Sequence, residues 1–206
     1  MLQRVRESGA RDLDVRWRYF SLAQVNNQQE GWTVWSAAPE DPAARGRLAF
    51  QAAEAARRQG SFEALHPALL EARHVEGLDL DERSVVEDVA GRAGLDLDRF
   101  RSDLADPSAL LAIARDHQEA SERLGVFGTP TFHFPARGAA YVRIRPAPEG
   151  DAALKVFDQI VSITAEEPYF LEIKRSRGRQ QAPADLSRLS GEAPAARTSG
   201  SRRSGS

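Results

Sequence analysis

The chain has 206 residues, 41% of them apolar and 28% charged, with a formal net charge of −2 and no cysteine. That is enough chain for one good-sized domain with a real core, in a composition ordinary for a globular protein. No apolar run approaches the ~20 residues of a membrane span, the opening MLQRVRESGARD lacks the apolar stretch of a signal peptide, and disulfide or thiol chemistry is excluded within these residues. The expected setting is therefore cytoplasmic, with no membrane partner.

The first nine residues place Leu2 and Val5 at helical spacing and close on Gly9, a helix stub of barely two turns. In LDVRWRYF, Leu13, Val15, Trp17 and Tyr19 alternate with Asp14, Arg16 and Arg18. A period of two with three charges on one face predicts a strand at a sheet edge. SLAQVNNQQEGWTVWSAAPE then reads as a loop, with turn residues at Asn26, Asn27, Gly31 and Pro39.

From Asp41 to about Leu124 the pattern is helical. Asp41-Pro42 and Asp106-Pro107 each set a capping acid before a proline at a first helical position. The spacing predicts helices near 42–59 and 61–75, shorter ones around Val85, Val86 and Val89 and around Leu97, Phe100 and Leu104. A last one starts at Pro107, with Leu110, Ile113, Ala114, His117 and Leu124 on one face. After this block of some 80 residues, TPTFHF and AAYVRIR read as a β-hairpin broken at Pro135 to Gly138. TPTFHF is the more apolar of the two and the candidate for the middle of a sheet. A final helix begins near Asp151 and carries Leu154, Phe157, Ile160, Val161 and Thr164. From Lys174 onward eight basic residues face two acidic ones, so the chain divides into a +6 tail and a −8 body. The Ser, Gly, Pro and Ala of the tail offer little to bury, which predicts disorder rather than a specific nucleic-acid partner.

Four histidines are present: His66, His74, His117 and His133. No HExxH pair and no cysteine partner accompanies them, so no metal site is expected. His117, on the apolar face of its helix, reads as a hydrogen-bonded core histidine, or as a support beneath the segment that follows. Trp17, Trp32, Trp35 and Phe20 either line a groove or cover the helical block. G-x-S-x-G, P-loop and G-x-G-x-x-G signatures are absent.

The order of these elements gives meaning to GVFGTPTF at 125–132. Together with RWRYFSLAQVN at 16–26, HPALLEARHVEGLDLD at 66–81 and FDQIVSITAEEPYFLEIKR near the end, it resembles the DsbA-like branch of the thioredoxin-fold family. The closing segment is similar to actinobacterial members linked to mycothiol-dependent reduction. The resemblance covers about residues 1–176 and implies an α/β fold of thioredoxin type with a helical insertion at about 41–124, followed by a disordered basic tail at 177–206.

The resemblance also implies a cis-proline loop with Thr129 and Pro130 at its centre and Gly128 and Phe127 beside them, binding substrate through the outward-facing backbone of Thr129. The implied activity is thiol–disulfide exchange, or reduction dependent on a low-molecular-weight thiol of the mycothiol or glutathione type, with no bound cofactor. The implied partner is a disulfide-containing or small-molecule substrate, or an extended peptide. In this family the catalytic Cys-x-x-Cys turn lies between the first strand and the first helix. Here that turn and that strand are missing, as though the chain opens partway along the first helix. Three readings follow. In the first the turn lies upstream of this sequence; in the second the chain is a paralogue that binds without catalysis; in the third the missing segment holds a serine in place of the dithiol, as in glutathione-dependent isomerase and kappa-class transferase relatives. In each case no catalytic residue is expected among these 206, and the oligomeric state is not written in them.

Overall fold

Residues 1–173 are described by the structure, a computed structural model. Met1–Phe170 form one unit; of a second, Leu171–Ser206, only the first three residues are among those described. The expected boundary at 176 and the expected disordered tail at 177–206 lie outside the described residues.

Helix α1, Leu2–Glu7, buries Val5 and packs against the last long helix, α8, Asp151–Val161. Arg11 fixes the pair by a two-pronged contact with Asp158, and Arg4 donates to the Pro148 carbonyl. The helical block follows the predicted order. Asp41 caps a single 3₁₀ turn, Pro42–Ala44, by accepting from the Ala43 amide. Gly46, at φ +80°, then separates that turn from α3, Arg47–Arg58, so the helix expected near 42–59 is two pieces. Next come α4, Phe62–His74, α5, Arg83–Arg92, α6, Leu97–Ala105, and α7, Ser108–Gln118. Their apolar faces converge on Ala52, Ala56, Leu65, Val86, Phe100 and Ile113, the centre of the core. A π turn, Glu119–Arg123, continues α7 toward the hairpin.

Three predicted elements come out differently. The loop after Phe20 contains a short helix, α2, Leu22–Asn26, because the Ser21 hydroxyl accepts from the Gln24 amide and starts a turn. The hairpin consists of β1, Thr131–Phe134, and β2, Gly138–Tyr141, antiparallel with Thr131 opposite Tyr141 and Phe134 opposite Gly138. The second strand therefore starts earlier than AAYVRIR suggested, and Val142–Arg145 falls beyond its end. TPTFHF is not the middle of a sheet either: among the described residues the sheet has two strands, and neither contains a buried residue.

The third correction concerns LDVRWRYF, which forms no ladder at all. Its alternation is real. Leu13, Val15 and Trp17 are half-buried and Tyr19 is buried, while Asp14, Arg16 and Arg18 are exposed. A strand, however, also needs a neighbour that meets every second backbone group, and none of the described residues supplies one. Side chains of helices act in its place. Asp116 Oδ2 accepts from the Tyr19 amide, His117 Nδ1 accepts from the Ser21 amide, and Arg57 donates to the Trp17 carbonyl. The periodicity recorded which face is buried and said nothing about what pairs with the edge.

Asp116 is the stronger of these ties, because its other oxygen holds Arg18 at 2.8 Å. Asp116→Ala leaves a buried amide without an acceptor and is expected to cost about 1–3 kcal/mol. Leu111→Ala, on the exposed side of the same helix, should stay within about 0.5 kcal/mol. Urea denaturation of the two variants measures the difference; equal losses would show that the tie contributes nothing.

Candidate functional site

The hairpin is entered through a turn that closes on itself. The Val126 amide donates to Ala120 at the π turn, Thr131 Oγ1 donates to the Gly128 carbonyl at 2.7 Å, and the Val142 amide donates to the Pro130 carbonyl at 3.1 Å. The Thr129–Pro130 peptide is cis, as is Arg145–Pro146. Gly128 is buried, and a Cβ there would meet the Tyr141 ring at 3.3 Å, so a side chain would push that ring back by a few tenths of an ångström. Thr129 and Pro130 are exposed. Phe127 is 69% exposed and rests its ring 5.3 Å from that of Tyr141.

The register determines which backbone groups remain open. In an antiparallel pair, alternate residues bond to the partner strand and those between them point their N–H and C=O away from it. The Val142 to Pro130 bond assigns Pro130, Phe132 and Phe134 to the bonded set. Thr131 and His133 then direct their amides and carbonyls to the free edge, and neither they nor the Thr129 backbone just before the strand has a backbone partner among the described residues. Phe127, Gly128, Thr129 and Pro130 are thus brought together at one end of an open strand edge. Tyr141 joins them, a residue that sequence reasoning passed over; its position directly across from Thr131 in the hairpin was the available signal.

His117 is buried elsewhere in the unit. Its Nδ1 accepts from Ser21, and its ring lies 4.8 Å from Phe20 and 5.3 Å from Trp35. None of these contacts involves Gly128–Pro130. Burial lowers its pKa, and accepting through Nδ1 fixes the neutral ring with its proton on Nε2. The three tryptophans do not share a groove. Trp17 packs on His66 at 4.4 Å, Trp35 on His117, and Trp32 donates to Asp41. Trp17 and Trp35 cover the helical core. Arg57, also not singled out from the sequence, lies over both Tyr19 and Phe62, 4.8 and 4.7 Å from their ring centres. His66 stacks on Phe62, and its pKa is lowered chiefly by burial, with Glu63 opposing and Arg57 adding to the shift. His74 and His133 are exposed, and no cluster of metal-ligating side chains occurs among the described residues.

Residues 1–144 match the family described as the DSBA-like thioredoxin domain. Over 105 residues, 50% of the chain, the sequence is 40% identical to a protein named Na(+)/H(+) antiporter NhaA 3 from Salinispora tropica. Over the same length it is 39% identical to one named Na(+)/H(+) antiporter NhaA 1 from Salinispora arenicola. The match spans only 15% of either antiporter. No helix among the described residues is long and apolar enough to cross a membrane.

Because desolvation lowers the pKa of half-buried His66 and buried His117, the unfolded chain binds more protons than the folded one once pH drops below the unfolded value near 6.5. Stability is then fully present above that value and lost as pH falls below it. Asp106, held at about 2 by the amide and hydroxyl of Ser108 and by Arg58, titrates well below this range. The urea midpoint is expected to fall between pH 7.5 and 5.5, and to fall less in a His66→Phe, His117→Asn double variant. An equal fall in both proteins would assign the effect to other groups.

Proposed function

The chain belongs to the DSBA-like thioredoxin domain family, and from that premise we propose that the Phe127–His133 stretch is a binding edge for an extended polypeptide. It is the edge a thiol–disulfide oxidoreductase presents to its disulfide-bearing partner. The exchanging thiols come from outside these 206 residues, which contain none. A low-molecular-weight thiol of the mycothiol or glutathione type is the co-substrate on this reading.

One observation carries the proposal: the alternate backbone groups of Thr129, Thr131 and His133 are unpaired at an exposed edge. Such an edge is a template for an added strand, with main-chain bonds giving affinity and alternate side chains giving selectivity. The Phe127–Tyr141 ring pair stands at its end, where it would favour an apolar or aromatic residue of the partner. The likeness to two antiporters supports no transport activity here, since it spans a small part of each and no described helix can cross a membrane.

The test uses a ten-residue peptide rich in Val, Thr and Phe, and a set of copies each N-methylated at one position. Strand pairing uses every second amide. N-methylation at alternate positions should therefore weaken binding about tenfold or more, while the intervening positions tolerate it. The Thr131 and His133 amide resonances should move on titration. Uniform tolerance of N-methylation, or shifts confined to other regions, would overturn the reading. The same polypeptide is expected to leave insulin disulfides intact, with or without added glutathione, and turnover above the glutathione blank would show a chemistry that needs no protein thiol.

A further inference from the structure

Arg47, the first residue of α3, is only 9% exposed. Its location is unfavourable on two counts. A cation at the N-terminus of a twelve-residue helix opposes the helix dipole, and a buried charge needs full compensation. The compensation present is partial. One terminal nitrogen, Nη1, donates to the carbonyls of Ala37 and Val34. Nε and Nη2 have no partner among the described residues, yet neither is sealed from solvent, for the sealed and unpartnered side-chain atoms are Trp17 Nε1 and Asp103 Oδ2.

Arg47 lines a cavity of about 640 Å³ formed by the 35–46 segment, the first turn of α3, and helices α6 and α7. This is within the range of small-molecule sites. Trp35, Leu48, Leu104, Leu110, Pro39 and Pro107 give it apolar walls. Its other charges are engaged or balanced. Asp41 accepts from Trp32 and Ala43 and attracts Arg47 without a hydrogen bond to it, Asp81 accepts from the Gly46 amide and lies 3.8 Å from Arg45, and Arg83 bonds Glu87. Glu40, at the rim, is exposed. The open donors of Arg47 are therefore the cavity's unmet requirement.

Nε–H and Nη2–H point in parallel from one edge of the guanidinium plane, a fork that matches the two oxygens of a carboxylate. We propose that this cavity binds a small organic carboxylate with an apolar body, its carboxylate on the Nε/Nη2 edge of Arg47 at the start of α3 and its body against Trp35 and Leu110. A neutral amide of the same shape would fill the walls but offer those two donors no charged acceptor.

The probe is 3-phenylpropionate, with 3-phenylpropionamide as its neutral counterpart, each titrated up to about 10 mM against the full chain and followed by amide and indole resonances. The carboxylate is expected to shift the Trp35 indole and the Ala37 and Leu48 amides saturably, and the amide to bind about tenfold more weakly or worse. Arg47→Lys, which keeps the charge and loses the fork, should weaken the carboxylate about tenfold. Should that variant not fold, Ala105→Trp, which fills the mouth from an exposed position, should abolish binding with the fold intact. No saturable shift, equal affinity for acid and amide, or binding that survives Ala105→Trp would overturn the proposal.

Discussion

Helix α3 can touch α4, α5, α6 and α7 at once because its inward positions are alanines. Ala52, Ala53, Ala55 and Ala56 are all buried, and three of them are fully excluded from solvent. Small side chains let helix axes approach closely, and the larger Leu65, Val86, Phe100 and Ile113 of the neighbours fill the space around them. Lengthening any one of these alanines forces a neighbour off its rotamer. The dependence extends beyond the core. α3 bears Arg47 at its first turn, facing the cavity, and Glu54 and Arg57 farther along, where they engage Tyr19, Phe62 and the Trp17 carbonyl. The packing of one alanine-lined helix thus positions both the cavity cation and the anchor of the 13–20 segment.

That segment and β1 present one problem solved in two ways. Both are short stretches with alternating side chains, and both have backbone groups that no neighbouring strand meets. At Tyr19 and Ser21 the amides are buried, where an unmet donor costs about 1–3 kcal/mol, and the consecutive residues Asp116 and His117 of α7 meet them. At Thr129, Thr131 and His133 the groups lie at an exposed edge, where water meets them and a strand can displace it. Burial decides which of the two becomes internal architecture and which stays available to a partner. The lowered pKa of His117 belongs to the first case, since its ring must stay neutral to accept from Ser21.

The sequence was legible where a signal was local and repeated. The caps at Asp41 and Asp106, the helical spacing of Val86 and Val89 or of Phe100 and Leu104, and the Pro107 start all mark helices whose reasons lie within a few residues. The turn at 125–130 could be singled out for the same reason: glycine and proline act on their own backbone. What failed to show were relations between distant segments. Nothing near Leu13 says whether a strand will lie beside it, and nothing near Tyr141 says that Phe127 will rest against its ring. Arg47 is the sharpest case. Within its helix it looks like one of many arginines, and only the folding back of Val34 and Ala37 onto its Nη1 makes it a buried cation.

The absence of cysteine gives the exposed turn its meaning. In a family of thiol–disulfide exchangers, holding a partner's backbone beside the reactive sulfur and attacking it are separable tasks. The first needs open amides and carbonyls in register and a surface for side chains, the role proposed above for β1, Phe127 and Tyr141. The second needs a thiolate at a helix N-terminus or beside a cation, and none of these 206 residues can become one. The buried helix-terminal cation that the chain does contain, Arg47, has no sulfur to activate. Its Nε and Nη2 donors suit an oxygen anion instead, the role proposed for it above.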